Sequence, residues 1–114
     1  MQEVTLNFFQ RFKLVDIMGV QEGRAAELRL AYKIIDKVDF TEEERNGASF
    51  SIDQKTGNVT WRLPDGNLDY AKKTVQLEDA EVERVKTVLE SWPRSKPAFD
   101  RWVIEILDLL VQKN

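Results

Sequence analysis

Asp39, Glu42, Glu43, Glu44 and Arg45 put five ionisable side chains into the seven residues DFTEEER, positions 39 to 45. Carboxylates this close suggest two chemistries: a shared hard cation such as magnesium, or a proton exchanged between a paired acid and base. Local helix grammar gives a different account. Thr41 followed three residues later by Glu44 is a capping box, in which the hydroxyl accepts the N3 amide and the glutamate accepts the N-cap amide. Glu42 and Glu43 fall in the first turn, where negative charge meets the positive end of the helix dipole. Consecutive helical residues diverge by about 100°, so such carboxylates do not converge on one ion. The stretch is expected to start a short helix that Asn46–Gly47 ends. In VQLEDAE the same grammar recurs, with Glu81 at N3 and Leu77 placed to staple against Val82.

Other candidates are weaker. DGNLD alternates Asp65, Asn67 and Asp69 as a calcium loop does, but Gly66 is misplaced and no glutamate closes the set, so a simple turn is expected. NVT at 58–60 matches a glycosylation acceptor but falls in a predicted strand with no leader before it. SWPRSKPAFDRW gathers Trp92, Arg94, Lys96, Arg101 and Trp102. Aromatic rings and arginine dominate protein interfaces and can also stack on single-stranded nucleic acid. The plainer account is two core tryptophans flanking a solvated loop.

Histidine and cysteine are both absent from the 114 residues. That removes Ser–His–Asp triads, Cys–His nucleophiles and zinc sites built on His or Cys, leaving carboxylate, Lys, Tyr and Ser/Thr chemistry. No cofactor is expected. The net charge of −3 comes from 20 acidic and 17 basic residues mixed along the chain, which disfavours a nucleic-acid footprint. The longest apolar runs fall short of the ~20 residues that span a bilayer, and MQEVTLNFF lacks the features of a signal peptide. A cytoplasmic, membrane-free protein is expected. A chain of this length buries roughly two thirds of its unfolded surface, so one domain covering 1–114 is expected to fold without staples.

These residues need elements to position them. Phe8, Phe9, Phe12, Val15 and Met18 recur at helical spacing from Leu6 to Met18, with Asn7, Gln10, Arg11 and Asp16 as the wet side and Gly19 as a left-handed stop. A second helix, about 24–37, turns Leu28, Ala31, Ile34, Ile35 and Val38 inward and Arg29, Lys33, Asp36 and Lys37 outward. The short join makes the two a hairpin. Phe50 and Ile52, then Val59, Trp61 and Leu63, alternate with polar residues as two strands about a DQKTGN loop in which Gly57 supplies a positive φ. A third strand is expected near 74–77, with Lys72 and Lys73 suiting an edge.

Two helices close the chain. The first buries Val82, Val85, Val88 or Leu89, and Trp92, and Pro93 stops it. Ser95 and Pro97 suit the start of the second, whose apolar arc runs through Phe99, Trp102, Val103, Ile104, Ile106, Leu107, Leu109, Leu110 and Val111. Asp100, Arg101, Glu105, Asp108 and Gln112 form its narrow polar stripe. The arc is wider than one packing face needs, so its flank at Leu107 and Val111 is either core or a dimer seam.

RFKLVDIMGVQEG, LRLAYKIIDKVDFTEEE, GNVTW and VQLEDAEVERVKTVLE together resemble a group of small uncharacterised phage and prophage proteins, over roughly residues 6 to 90. These likewise follow a helix and E-G turn with a second helix, an FTEEE-like start, a Trp after a hairpin and a late acidic helix start. The resemblance implies a phage origin and a cytosolic setting in a bacterial host. That group carries no assigned activity, so no catalytic residue comes with it.

The expected object is α+β: an N-terminal helical hairpin, a small antiparallel sheet of two or three strands, and two C-terminal helices. Its expected work is non-enzymatic binding of a host or phage protein, with a homodimer as one form. Partner contacts are expected at Trp92, Arg94, Lys96, Arg101, Trp102, Leu107 and Val111. A nucleic-acid-associated regulator using Arg94, Lys96 and Arg101, and a magnesium-dependent carboxylate enzyme, are the alternatives.

Overall fold

Period-two alternation begins at the second residue: Val4 and Leu6 are buried while Glu3 and Thr5 face solvent. In the computed structural model, which describes residues 1–20, 22–92 and 100–111, this segment is strand β1 (Gln2–Leu6). The elements that follow are α1 (Phe8–Gly19), α2 (Ala25–Val38), α3 (Glu42–Gly47), β2 (Ser51–Ile52), β3 (Val59–Thr60), β4 (Lys73–Leu77), α4 (Asp79–Glu90) and α5 (Arg101–Val111). The class is α+β, with a helical hairpin at the start and two helices at the end.

The strands differ from expectation in two respects. They form two separate antiparallel pairs, β1–β4 and β2–β3, rather than one sheet. The expected third strand pairs with the N-terminal segment, in the register Gln2↔Leu77, Val4↔Val75 and Leu6↔Lys73. Val4, Leu6, Val75 and Leu77 face the helices, and the Thr5 and Thr74 hydroxyls meet at 2.8 Å on the open face. Leu6 therefore ends a strand instead of starting the helix.

Helix α1 departs most from its sequence pattern. Asn7 is its N-cap: the Asn7 side-chain Oδ1 accepts the Gln10 backbone amide at 2.8 Å, and the Gln10 side-chain Oε1 accepts the Asn7 backbone amide at 2.9 Å. This box draws Gln10 inside. Arg11, read as solvated, is 0% exposed, while Phe9, read as apolar face, is 38% exposed. Val20 follows the helix at φ −106, and Gly19 is not in the left-handed region. The stop needs no glycine there.

Three helices then begin with one device, an N3 glutamate that accepts its own N-cap amide and also a distant cation. Glu27 takes the Arg24 amide at 3.0 Å and Arg84 at 3.2 Å. Glu44 takes the Thr41 amide at 2.9 Å and Arg11 through both oxygens. Glu81, only 1% exposed, takes the Glu78 amide at 2.8 Å and Lys37 at 2.6 Å. One carboxylate thus fixes a helix start and the neighbour it packs on. At α3 the Thr41 hydroxyl also accepts the Glu44 amide at 3.0 Å, as the sequence predicts. Thr41→Ala should cost about 1 kcal/mol in a denaturant titration.

The main core gathers Leu14, Ile17, Ile34, Val38, Val85, Leu89, Trp102 and Ile106 between the helices and the inner face of β1–β4. In α5, Trp102, Val103, Ile106 and Leu110 are buried and Leu107 and Leu109 pack against the core. Ile104, at 58% exposed, stays outside. A second cluster forms around Phe8, Phe40 and Ala48, with Phe12, Phe50, Trp61, Leu63 and Tyr70 against it. Among the described residues no helix is long and apolar enough to cross a membrane.

Candidate functional site

Arg11 reaches from α1 into the second cluster and organises it. Its Nε donates to the Val38 carbonyl at 2.9 Å and its Nη2 to the Asp39 carbonyl at 2.6 Å. Nη1 donates to Glu44 Oε2 at 2.9 Å and Nη2 to Glu44 Oε1 at 3.1 Å, a forked pair. Nη1 also donates to the Ala71 carbonyl. Ala71 itself stands at φ +59, a left-handed conformation that an L-residue adopts only under local constraint. The guanidinium lies 4.4 Å from the centroid of the Phe40 ring. The forked hydrogen bonds from Arg11 hold Glu44 below its ordinary value of 4.5, overcoming the opposing effect of partial burial.

The rings pack outward from this hub. Phe8 meets Phe40 at 4.7 Å, Trp61 at 5.5 Å and Phe50 at 5.7 Å between centroids. Phe50 stands at 71° to Phe40 and at 83° to Phe12, so the three rings form a corner rather than a stack. The β2–β3 hairpin holds Phe50 there. Its loop turns on Asp53, whose side chain accepts the Lys55 and Thr56 amides at 2.8 and 3.1 Å, and on Gly57 at φ +76. Gly47 admits the Tyr70 side chain: a Cβ there would lie 2.0 Å from the Tyr70 hydroxyl, which donates to the Glu44 carbonyl at 2.9 Å.

Between α1, the start of α3 and the hairpin the corner opens as a cleft of about 390 Å³. Phe12, Val15, Phe40, Phe50, Ile52 and Val59 give it apolar walls, and Asp16, Asp39 and Arg45 supply its charge. Asp39 is already engaged, accepting Arg45 Nη2 at 2.9 Å and the Phe40 amide at 2.7 Å. Asp16 is exposed and has no ion pair among the described residues. The volume lies at the lower end of the range for ligand clefts, room for a few side chains. Among the described residues no group of three or more acidic side chains is arranged to hold a metal.

The described residues among those expected to meet a partner lie elsewhere. Trp92 and Trp102 meet edge to face at 5.6 Å, and Trp102 is 2% exposed inside the main core. The pair is packing, with Lys13 Nζ 5.4 Å above the Trp102 ring. Arg101 is exposed and Leu107 half-buried against the core. Arg94 and Lys96, the expected Ser95 and Pro97 start and the side chain of Val111 lie outside the described residues. Of the seven, the described Trp92, Arg101, Trp102 and Leu107 do not line the cleft.

DFTEEER, by contrast, touches the cleft directly. Asp39, Phe40 and Arg45 line it, and Glu44 anchors the hub behind it. Capping grammar accounts for Thr41 and Glu44 but says nothing of Phe40. The available signal was the set of six phenylalanines among the 114 residues. Four of them, Phe8, Phe12, Phe40 and Phe50, converge here from three separate parts of the chain. Comparison with protein-family models, curated proteins and solved structures finds no match to this chain.

Proposed function

We propose that the protein works by binding another protein, without catalysis, and that the aromatic cleft is where a segment of that partner seats. The supporting observation is the corner of Phe12, Phe40 and Phe50, held open at the surface by a buried arginine hub. Apolar clefts with a few charged groups at the rim suit a protruding side chain from a partner, and aromatic walls contribute most of such binding. The phage or prophage setting implied by the sequence resemblance makes the partner a host or phage protein. Among the described side chains of the α5 arc that suggested a dimer seam, those from Trp102 to Leu110 are taken up by the core except at Ile104, which favours a different chain over a second copy.

Selection of a random peptide library on the immobilised protein tests this. Peptides should be enriched, and Ile52→Asp should weaken the best of them about tenfold or more by charging the wall. Ile52 is 66% exposed, so the substitution should leave the thermal midpoint nearly unchanged. No enrichment over a blank surface, or binding indifferent to Ile52→Asp, would refute the proposal.

A further inference from the structure

We infer that the segment accepted by this cleft carries an apolar anchor side chain with a lysine or arginine within two residues of it. The inference rests on the protein-binding reading above and specifies its chemistry. Its basis is charge complementarity at the rim. Asp39 and Arg45 neutralise one another at 2.9 Å, so Asp16 is the one lining charge left without a counter-ion among the described residues. A partner that inserts an apolar side chain between Phe12 and Phe50 brings its neighbouring residues over that carboxylate. A cation there gains an ion pair, and a carboxylate there meets repulsion. The rings add to the same preference. Their faces carry negative potential, and Phe40 already uses one face to hold a guanidinium at 4.4 Å.

The anchor and the cation have separate seats. Val15, Ile52 and Val59 extend the apolar wall beyond the rings, which suits an aliphatic or aromatic body rather than a bare ammonium. Asp16 lies one residue from Val15 on α1, so the charged and apolar surfaces adjoin. In an extended peptide, side chains two residues apart point the same way, and a long lysine or arginine reaches to either side.

The test uses the full chain and short blocked peptides that differ only at an anchor, phenylalanine or serine, and its neighbour, lysine or glutamate. Isothermal titration at low salt should rank phenylalanine–lysine first. Glutamate in place of lysine should weaken binding about fivefold, and the gap should narrow as salt rises. Asp16→Asn should close that gap, weakening the lysine peptide and relieving the repulsion on the glutamate peptide. Equal binding of the lysine and glutamate peptides would overturn the inference and leave the protein-binding reading standing. A lysine preference that survives Asp16→Asn would overturn it equally. If no peptide of this set binds while library selection still enriches others, the inference falls alone. If both fail, the protein-binding reading falls with it.

Discussion

Arg11→Met is expected to lower the unfolding free energy by about 3–5 kcal/mol, among the largest effects of any single substitution in this chain. Methionine keeps the aliphatic part of the side chain but not the volume of the guanidinium, so some packing against Phe40 goes with it. Also lost is every polar partner: both Glu44 oxygens and the carbonyls of Val38, Asp39 and Ala71. Buried acceptors left unpaired each cost more than the net value of the bond they made. Arg11→Lys should recover only part, because an ammonium cannot serve a forked carboxylate and three carbonyls from one plane. Adding Glu44→Gln to Arg11→Met removes the stranded charge but leaves the carbonyls, so it too should recover only part. Urea titration gives the value, with an unchanged slope as the check on two-state unfolding. A shift below about 1 kcal/mol would mean that water replaces Arg11 and that the hub holds nothing together.

The same pair sets the response to acid. Glu44 has its folded pKa depressed below 4.5, so its contribution is fully present above that value and is lost as pH falls through the lowered folded value. The wild-type midpoint should therefore decline below about pH 4.5. In Arg11→Met that decline should be shallower, since the depression comes first from the Arg11 hydrogen bonds.

Phe8→Ala is expected to cost about 3–5 kcal/mol. Phe8 is 1% exposed and its ring faces Phe40, Phe50, Trp61 and Tyr70 at 4.7, 5.7, 5.5 and 6.4 Å. Removing it leaves a void behind Phe40 and Phe50, two walls of the cleft, which neighbouring helices cannot fill without distortion. Phe9→Ala, one residue along, makes the comparison. Phe9 is 38% exposed, with Trp61 at 6.4 Å as its ring neighbour among the described residues and the Lys13 ammonium near its face, so its loss should cost about 1 kcal/mol or less. Calorimetry of the two variants should separate them widely. Near-equal losses would mean that the second cluster is loosely packed. Peptide binding by Phe8→Ala should fall below the wild type even at temperatures where the variant remains folded.

The starts of α3 and α4 were legible in the sequence because capping is local. Thr41 and Glu44, or Glu78 and Glu81, lie three residues apart, and their chemistry completes itself within one turn. The β2–β3 hairpin was legible for the same reason, through Asp53 and Gly57. Arg11 was not. Between Gln10 and Phe12 it has the spacing of a solvated residue, and what buries it are acceptors supplied by residues 38, 39, 44 and 71. No periodicity in α1 carries that information. Strand β1 was half legible: Val4 and Leu6 alternate with Glu3 and Thr5, but five residues without a visible partner give no reason to pair. The cleft was hidden for a third reason. Phe12, Phe40 and Phe50 each look like ordinary core residues, and only the tertiary fold turns three scattered rings into a corner that opens to solvent.

The β1–β4 ladder, with Gln2 opposite Leu77, also sets the order in which a nascent chain can fold. At ~5–20 residues per second, translation reaches Leu77 only seconds after Val4 and Leu6 have left the ribosome. Through that interval the first strand has no mate, and its backbone groups and apolar side chains are open to any other extended chain nearby. The helical hairpin can form early, but it stays without its cover until the last third of the chain is made. The vulnerable species during synthesis is therefore a nearly helical intermediate with a loose sticky strand. A holdase that grips short apolar segments should engage it there, and should release it once β4 has been translated.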